Sequence, residues 1–403
     1  MSGRARAAGS EVLARAAWSR LAEPADVTAG ALVAILGAVE ALAWLTTAAD
    51  GDLDHHVAAL AAERSLDATT ARRVRRGVDR WRPRLDGLEP ARDLDALDRM
   101  GGVLVVPGDD GWPTSLDVLG AGAPFCLWVR GAPSPADVLA RSVSLVGARA
   151  STGYGDRVAG ELAAGLAAHG FTTVSGGAYG IDAAAHRGAV TVGGATVAFL
   201  AGGVDRLYPA GNSDLLLAMV ERGGLVLSEV PPGSVPSRVR FLRRNRLIAA
   251  AGAATVVVEA AWRSGSLSTA AVAVDLLRPV GAVPGPVTSM ASAGCHRLLR
   301  EGRAVCVTDA EEVRELAGGL ADDGAGVRAA EDARDAVHRG PLDSLDGPAR
   351  QVFDALPLSG GSRPEDLVRG AGVDEGLVLS ALGRLELLGL AARTPGGWVK
   401  RRA

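Results

Sequence analysis

Seven short apolar segments between residues 142 and 317 alternate with helix-length segments, and this alternation limits the folds open to the chain more than any other feature. Repeated strand–helix order is typical of an α/β fold, a parallel sheet with helices on both faces. Ligands bind such sheets beyond the carboxyl ends of the strands, so the strand-to-helix loops are where function is expected. The predicted strands are Val143–Val146, Thr172–Val174, Ala195–Leu200, Leu225–Leu227, Ala254–Val258, Val280–Val283 and Ala304–Val307.

The rest of the chain is predicted to form further parts around this sheet. Residues 1–98 are Ala-rich with apolar residues at helical spacing, which predicts a helical domain. Residues 99–317 are predicted to hold the sheet together with an amino-terminal extension of short extended pieces. Residues 318–345, rich in Gly, Ala, Asp and Arg, are predicted to be a linker. Residues 346–403 are predicted to form three short helices and a small hairpin, which look like a winged helix.

Composition restricts the class of protein without indicating a partner. The net charge of -3 says little about nucleic acid binding, which depends on where positive charge lies. The three cysteines, Cys126, Cys295 and Cys306, are widely spaced, so they favour neither a disulfide framework nor a zinc site. We expect a reducing cytoplasm and neither metal nor cofactor. No apolar run reaches the roughly 18 residues needed to span a bilayer, and no secretory pattern is found at the start, so no membrane partner is expected.

The loop after the first predicted strand has the residue types of a phosphate site. Gly147 lets a backbone approach closely, and the helix that follows offers free N–H groups and a positive dipole end. Arg149 and Ser151 add a charge and a hydroxyl. The glycine spacing does not fit the dinucleotide-binding fingerprint, and no acidic residue closes the next strand, so NAD binding is not expected.

The loop after the second strand contains Ser175 and Gly176, followed by Asp182 and His186. Asp182 and His186 are four residues apart and therefore lie on one face of the helix that begins there. We favour a structural pair, in which the aspartate orients the helix start and supports the histidine. A catalytic pair is the alternative, but no nucleophile stands beside it in sequence.

A basic run with an aromatic residue lies further along the chain. Five arginines fall within the nine residues 238–246, beside Phe241. Charge for phosphates and a flat ring for a base are what a single strand of nucleic acid requires. A solvated helix face is the alternative, but the run lies near the carboxyl edge of the predicted sheet, which favours binding. The candidate contacts from this run, the loop after the third predicted strand and the loop after the fifth are Tyr208, Asn212, Arg240, Phe241, Arg243, Arg244, Asn245, Arg246, Ser264, Gly265 and Ser266.

These segments together resemble the DNA-processing protein A (DprA/Smf) family, and several motifs appear in the family's order. They are Val-Gly-x-Arg at 146–149, Ser-Gly-x-x-x-Gly-Ile-Asp-x-x-Ala-His at 175–186, Gly-Gly-x-Asp-x-x-Tyr-Pro-x-x-Asn at 202–212, Ser-Glu-x-Pro-Pro-Gly at 228–233 and Arg-Asn-Arg-x-Ile-Ala at 244–249. The resemblance implies a Rossmann-like domain, preceded by a sterile-alpha-motif-like helical domain and followed by a winged helix.

The resemblance also implies a function that is binding and not enzymatic. Family members bind single-stranded DNA, protect incoming DNA and help load the RecA recombinase in natural transformation, commonly as homodimers. Carried onto this chain, Gly147 and Arg149 would hold phosphate. Ser175, Gly176, Asn212 and residues 243–246 would line the path of the strand.

Two other interpretations stay open at this point. Nucleotide phosphoribohydrolases are similar in fold and in Gly-rich loops, but their glutamate would fall at Val272, and cleavage of a riboside needs that carboxylate. The carboxy-terminal domain carries few arginines, so a duplex-binding role there stands beside a packing or partner-binding role.

Overall fold

The computed structural model describes residues 3–132, 134–318, 345 and 347–401. Contacts divide the chain into two compact units, residues 1–319 and 320–403. The predicted linker, 318–345, lies almost wholly outside the described residues. The predicted division of the first unit into a helical domain and a sheet domain stays a prediction, because contacts group both in one unit.

Six helices open the first unit, and they pack around buried tryptophans. Aspartates at the positions just before α2, α4 and α5 accept hydrogen bonds from the first free N–H groups of those helices. Trp18 and Trp81 meet edge to face with ring centroids 5.5 Å apart. The helices are α1 (Gly3–Leu21), α2 (Val27–Leu36), α3 (Ala38–Asp50), α4 (Leu53–Glu63), α5 (Ala68–Trp81) and α6 (Pro90–Asp98), with a 3-10 turn at Arg82–Arg84 after α5.

No single helix in the described part of the chain is long and apolar enough to cross a membrane. The helices α2 and α3 reach that length and composition only as a pair, which is bent by 112° at its break.

A nine-stranded sheet follows, and it confirms the seven predicted strands. Strands β3 to β9 are parallel, and β1 and β2 extend the sheet beyond β6 with antiparallel pairing. The strand order is β1-β2-β6-β5-β4-β3-β7-β8-β9. The strands are β1 (Gly102–Val105), β2 (Leu127–Arg130), β3 (Ser142–Gly147), β4 (Thr172–Ser175), β5 (Thr196–Phe199), β6 (Leu225–Ser228), β7 (Ala254–Glu259), β8 (Val280–Ala282) and β9 (Val305–Cys306).

Helices cover both faces of this sheet. Val143 and Leu145 of β3 pack in a cluster with Leu162 on one face, whereas Val146 belongs to a second cluster with Leu247 on the other. This division follows from the alternation of side chains along a strand. The helices are α7 (Pro135–Leu139), α8 (Gly153–Ala168), α9 (Ile181–Thr191), α10 (Ser213–Glu221), α11 (Arg238–Ala251), α12 (Ser266–Asp275), α13 (Ala293–Arg300) and α14 (Ala310–Leu316).

The strand order reverses direction between β3 and β7. From β3 the chain proceeds outward through β4, β5 and β6, then returns to the other side of β3 and proceeds through β7, β8 and β9. The loops that leave the carboxyl ends of β3 and β7 therefore diverge and open a crevice between them. Such a switch point is where open α/β sheets bind ligands.

In the second unit, residues 345 and 347–401 are described, and they form three helices and an antiparallel hairpin, as the sequence predicted. The elements are α15 (Gly347–Ala355), α16 (Pro364–Ala371), α17 (Glu375–Leu387), β10 (Ala391–Thr394) and β11 (Gly397–Lys400). Val352, Leu367, Leu382 and Trp398 are buried in its core. The identification of this unit as a winged helix stays a prediction.

Candidate nucleic-acid interface

A cleft of about 730 Å³ lies at the switch point. Its walls are the loop that follows β3, the loop that follows β7 and one face of α11. The structure therefore brings predicted residues from three separate segments to one place. Those that line the cleft are Gly147, Arg149, Phe241, Arg244, Asn245, Ser264, Gly265 and Ser266.

The loop after β3 is fixed by contacts with the start of α9 and the end of β7. A Cβ atom at Gly147 would collide with Ile181 and would lie 2.9 Å from the carbonyl oxygen of Glu259, so this position requires glycine. The buried Glu259 carboxylate accepts hydrogen bonds from the backbone nitrogen and the hydroxyl of Thr152, both at 2.8 Å. The Ser151 hydroxyl donates to Asp156 at 2.5 Å, which leaves it bonded within the protein.

Arg149 is exposed at the tip of this loop and is stacked on an aromatic ring. Its guanidinium carbon lies 4.7 Å from the ring centroid of Phe241 on α11. Tyr208, which is 48% exposed, has its ring centroid 5.8 Å from that of Phe241. The guanidinium and the two rings lie next to one another in space, so together they offer a ligand both charge and flat apolar surface.

The start of α12 forms the opposite wall. The hydroxyls of Ser264 and Ser266 lie 2.8 Å apart, and Gly265 between them is exposed. Asn245 of α11 donates to the hydroxyl of Ser268 at 2.8 Å, which ties the two helices together. Arg263, directly before the serines, is exposed.

Three exposed arginines at the cleft keep their charge unpaired. Arg149, Arg238 and Arg263 all line the cleft, and none of them makes an ion pair with the residues that the structure describes. Arg238 and Arg263 were not among the predicted contacts. Both could have been predicted from the sequence. Arg238 is the first arginine of the basic run, and Arg263 directly precedes the predicted Ser264–Ser266 contacts.

Two of the predicted arginines require a correction, because their side chains are buried. Arg244 donates to the carbonyl oxygens of Gly176, at 2.8 Å, and Phe199. Burial lowers the pKa of Arg244 to about 10, so it stays protonated at neutral pH. Arg246 forms a bidentate pair with Glu229 at 3.0 and 2.5 Å. Both guanidinium groups bond inside the protein. Arg244 is part of the cleft wall, whereas Arg246 is not among the residues that line the cleft.

Two more arginines of the run face the helical region and not the cleft. Arg240 makes two hydrogen bonds of 3.0 Å to the carboxylate of Glu23, in the turn between α1 and α2. Arg243 donates to the carbonyl oxygen of Pro24 at 2.7 Å. The hydrogen bond from Arg240 is the main cause that holds the pKa of Glu23 below its usual range, so Glu23 is ionised at neutral pH.

The predicted contacts Ser175 and Asn212 also require correction. The buried Ser175 hydroxyl donates to the carbonyl oxygen of Leu145 at 2.6 Å. The buried Asn212 amide donates to the carbonyl oxygens of Gly177 and Ala178 at 3.0 Å. Ser175 thus ties the end of β4 to β3 and Asn212 holds the loop after β4, so both polar groups are used inside the protein.

Asp182 and His186 have separate partners, so both serve the fold, but the predicted support of the histidine by the aspartate is wrong. The buried Asp182 carboxylate accepts from the backbone nitrogens of Gly176 and Ala178, and desolvation raises its pKa. The Nδ1 atom of His186 lies 2.7 Å from the hydroxyl of Thr196. Burial lowers the pKa of His186 to about 3, so the ring is neutral near pH 7.

Comparisons with known proteins identify the family. The model of DNA recombination-mediator protein A matches residues 103–318. A putative DNA processing protein DprA of Mycobacterium tuberculosis is 43% identical over 401 residues, 96% of this chain and 94% of that protein. Protein Smf of Escherichia coli is 36% identical over 268 residues, 64% of this chain and 68% of that protein.

A solved structure agrees with this result. The X-ray structure of DNA processing protein A from Streptococcus pneumoniae superposes with a TM-score of 0.54 at 29% identity. The match covers 68% of this chain and 95% of that one. The resemblance predicted from the motifs is thus confirmed, and the chain belongs to the DNA recombination-mediator protein A (DprA/Smf) family.

Proposed function

We propose that the cleft at the switch point binds single-stranded DNA, and that the chain acts as a mediator of recombination. The observation that carries this proposal is that Arg149, Arg238 and Arg263, without ion pairs in the described part of the chain, line one cleft with the half-buried ring of Phe241. Charge without an internal partner is available to phosphate groups. An aromatic ring among such charges adds a stacking surface for a base.

The arrangement suits a single strand better than a duplex. In a duplex the bases are stacked on one another and their flat faces are covered. A single strand can place an unstacked base against Phe241 or Tyr208 while its phosphates meet the arginines. Stacking does not distinguish strongly between bases, so we expect little sequence preference.

The biological role extends the same proposal. Family membership supports action on DNA in recombination, and we propose that the chain protects incoming single strands and helps to load the RecA recombinase during natural transformation. We further propose that it works as a homodimer, that the six amino-terminal helices form a sterile-alpha-motif-like domain and that residues 346–403 form a winged helix.

An enzymatic role of the phosphoribohydrolase kind receives no support from the cleft. Val272 stands on α12 where that class carries its glutamate, and it packs against the apolar core. Glu259, a buried carboxylate nearby, already accepts two hydrogen bonds from Thr152. We therefore propose that the chain is not an enzyme, and incubation with AMP should release no free adenine.

The proposal is tested by titrating single-stranded and double-stranded oligonucleotides of the same sequence at two salt concentrations. We expect tighter binding of the single strand and a steep loss of affinity at the higher salt, because phosphate contacts release counterions. Equal affinity for both forms, or binding that salt does not weaken, would count against it.

A further inference from the structure

The helix α5 carries a row of arginines that the cleft does not use. Arg73, Arg76 and Arg80 follow one another at spacings of three and four residues, so they lie along one face of the helix. Arg84 continues the row in the 3-10 turn that follows α5. We call these four residues the α5 row. Val74, Val78 and Trp81 on the adjacent face are buried, so packing fixes which side of α5 the row occupies.

Half of the α5 row forms no ion pair within the described ranges. Arg73 and Arg76 are exposed and form no ion pair with any residue that the structure describes. Arg80 pairs with Asp26 at 3.1 Å and Arg84 pairs with Glu23 at 2.8 Å. The Arg80 side chain is 53% exposed although its partner Asp26 is only 11% exposed, so a phosphate can share the donors of Arg80.

The α5 row leads to the arginines of α11. A cleft of about 320 Å³ is lined by Arg80, Arg84 and Arg243 together with the carboxylates of Glu23 and Asp26. A second cleft, of about 470 Å³, is lined by Arg240 and Arg243 together with Glu23, so the arginines outnumber the carboxylates in both. Arg243 stands two residues from Phe241, whose ring lies in the main cleft. Positive side chains thus continue from the switch point, around α11 and onto α5.

We propose that a single strand leaving the main cleft continues along the α5 row, so that the helical region supplies the second half of the binding track. This inference rests on the function proposed above. From residue 73 to residue 84 the row extends about 16 Å, at 1.5 Å of rise per residue. That length adds phosphate contacts for a longer strand and none for a strand that fills only the main cleft.

An acidic segment of a protein partner is the other ligand that such a row would fit. Continuity with the main cleft favours the strand, because Arg243 lines the cleft that meets α5 and belongs to the same helix as Phe241. The two ligands differ in what they predict for oligonucleotide length. If the α5 row binds the strand, its arginines contribute to the affinity for long oligonucleotides and not to the affinity for short ones. If it binds a protein partner, they contribute to neither.

The test compares the R73A/R76A variant with wild type on thymidine oligonucleotides of about 6 and about 20 nucleotides, lengths within and above the usual single-strand site sizes. The matched control is R187A/R300A, which removes the same charge from exposed arginines of α9 and α13 that form no ion pair among the described residues. Thermal unfolding of each variant checks that the fold is intact.

We expect R73A/R76A to bind the long oligonucleotide about five- to tenfold more weakly, with its salt slope smaller by about 1.4, because each single-strand phosphate contact contributes about 0.7. R73A/R76A should bind the short oligonucleotide with wild-type affinity. The R187A/R300A control should bind both oligonucleotides with wild-type affinity. Wild-type binding of the long oligonucleotide by R73A/R76A would overturn the inference and leave the main cleft intact. An equal loss on both lengths would also overturn it. Failure of wild type to bind either length would overturn the proposed function itself.

Discussion

The arginines that line the switch point differ from the buried arginines of α11, although Arg238 of the first group belongs to the same basic run as Arg244 and Arg246. Arg149, Arg238 and Arg263 are exposed and form no ion pair in the described ranges. Arg244 and Arg246 are buried, and they bond carbonyl oxygens and Glu229. A basic run in a sequence is therefore not equivalent to a basic surface.

The helical repeat explains why the run is divided. Arg238, Phe241 and Asn245 are three and four residues apart and face the cleft together. Arg240 and Arg243, three residues apart, face the turn between α1 and α2. Of these two faces, only the one that carries Arg238 and Phe241 can meet a ligand at the switch point. The difference between buried and exposed arginines can be tested with single substitutions.

The largest effect is expected from the buried pair. Arg246→Ala leaves the Glu229 carboxylate buried without its partner, and breaking such a pair costs about 3–5 kcal/mol of unfolding free energy. The measurement is urea-induced unfolding followed by tryptophan fluorescence. Arg238→Ala is the matched control from the exposed end of the same helix, and it should change stability by less than about 0.5 kcal/mol. If the two variants unfold at the same urea concentration, the division into structural and surface arginines is wrong.

An intermediate effect is expected at the aromatic ring of the cleft. Phe241→Ala removes the stacking surface between Arg149 and Tyr208, and loss of one stacked base costs about 1–3 kcal/mol of binding free energy. Because no charge changes, the salt slope should stay at the wild-type value. Fluorescence titration with a single-stranded oligonucleotide measures both, and Phe241→Trp should retain the affinity. A lower slope in Phe241→Ala would mean that the ring acts by positioning the arginines.

The smallest effect is expected at Glu23, which holds Arg240 and Arg84. Glu23→Gln should reduce the unfolding free energy by less than about 1 kcal/mol, because the carboxylate is 31% exposed and its pairs are screened by solvent. The variant should bind single-stranded DNA about two- to fivefold more tightly, since two arginines lose a competing anion. Weaker binding would show that Glu23 positions these arginines for the strand.

The pH dependence of the Glu23 effect has a defined sign. The pKa of Glu23 in the folded protein lies below its ordinary value of 4.5, chiefly because Arg240 donates a hydrogen bond to the carboxylate. The ionised form therefore stabilises the fold above the unfolded pKa, and this stability is lost as pH falls through the folded pKa. The stability difference between wild type and Glu23→Gln should be present at pH 7 and vanish at a pH well below 4.5. A difference that persisted in acid would have a cause other than ionisation.

Much of the fold could be predicted from the sequence, because apolar periodicity reports directly which segments are buried. All seven parallel strands were found near their predicted bounds, and the described part of the carboxy-terminal unit has the predicted three helices and hairpin. The short extended pieces predicted before the parallel strands were found as β1 and β2, but nothing in their residues shows that β2 pairs antiparallel with β6. Pairing between distant strands depends on tertiary packing, which local patterns do not contain.

The candidate site was predicted by its loops more accurately than by its side chains. Gly147, Arg149 and Ser264–Ser266 meet at one cleft because the carboxyl ends of parallel strands share an edge. The other family motifs contain Ser175, Asn212, Arg244 and Arg246, but the polar atoms of these residues are used inside the protein. Spacing alone cannot distinguish a polar residue that holds a loop from one that meets a ligand, because both kinds occur in the same turns.

The salt dependence of single-strand binding shows whether the exposed arginines of the cleft bind phosphate. The triple variant R149A/R238A/R263A should lower the slope of log affinity against log salt by about 2, because each contact contributes about 0.7, while unfolding like wild type. The R187A/R300A control should keep the wild-type slope. If the triple variant kept that slope as well, the cleft at the switch point would not be where the strand binds.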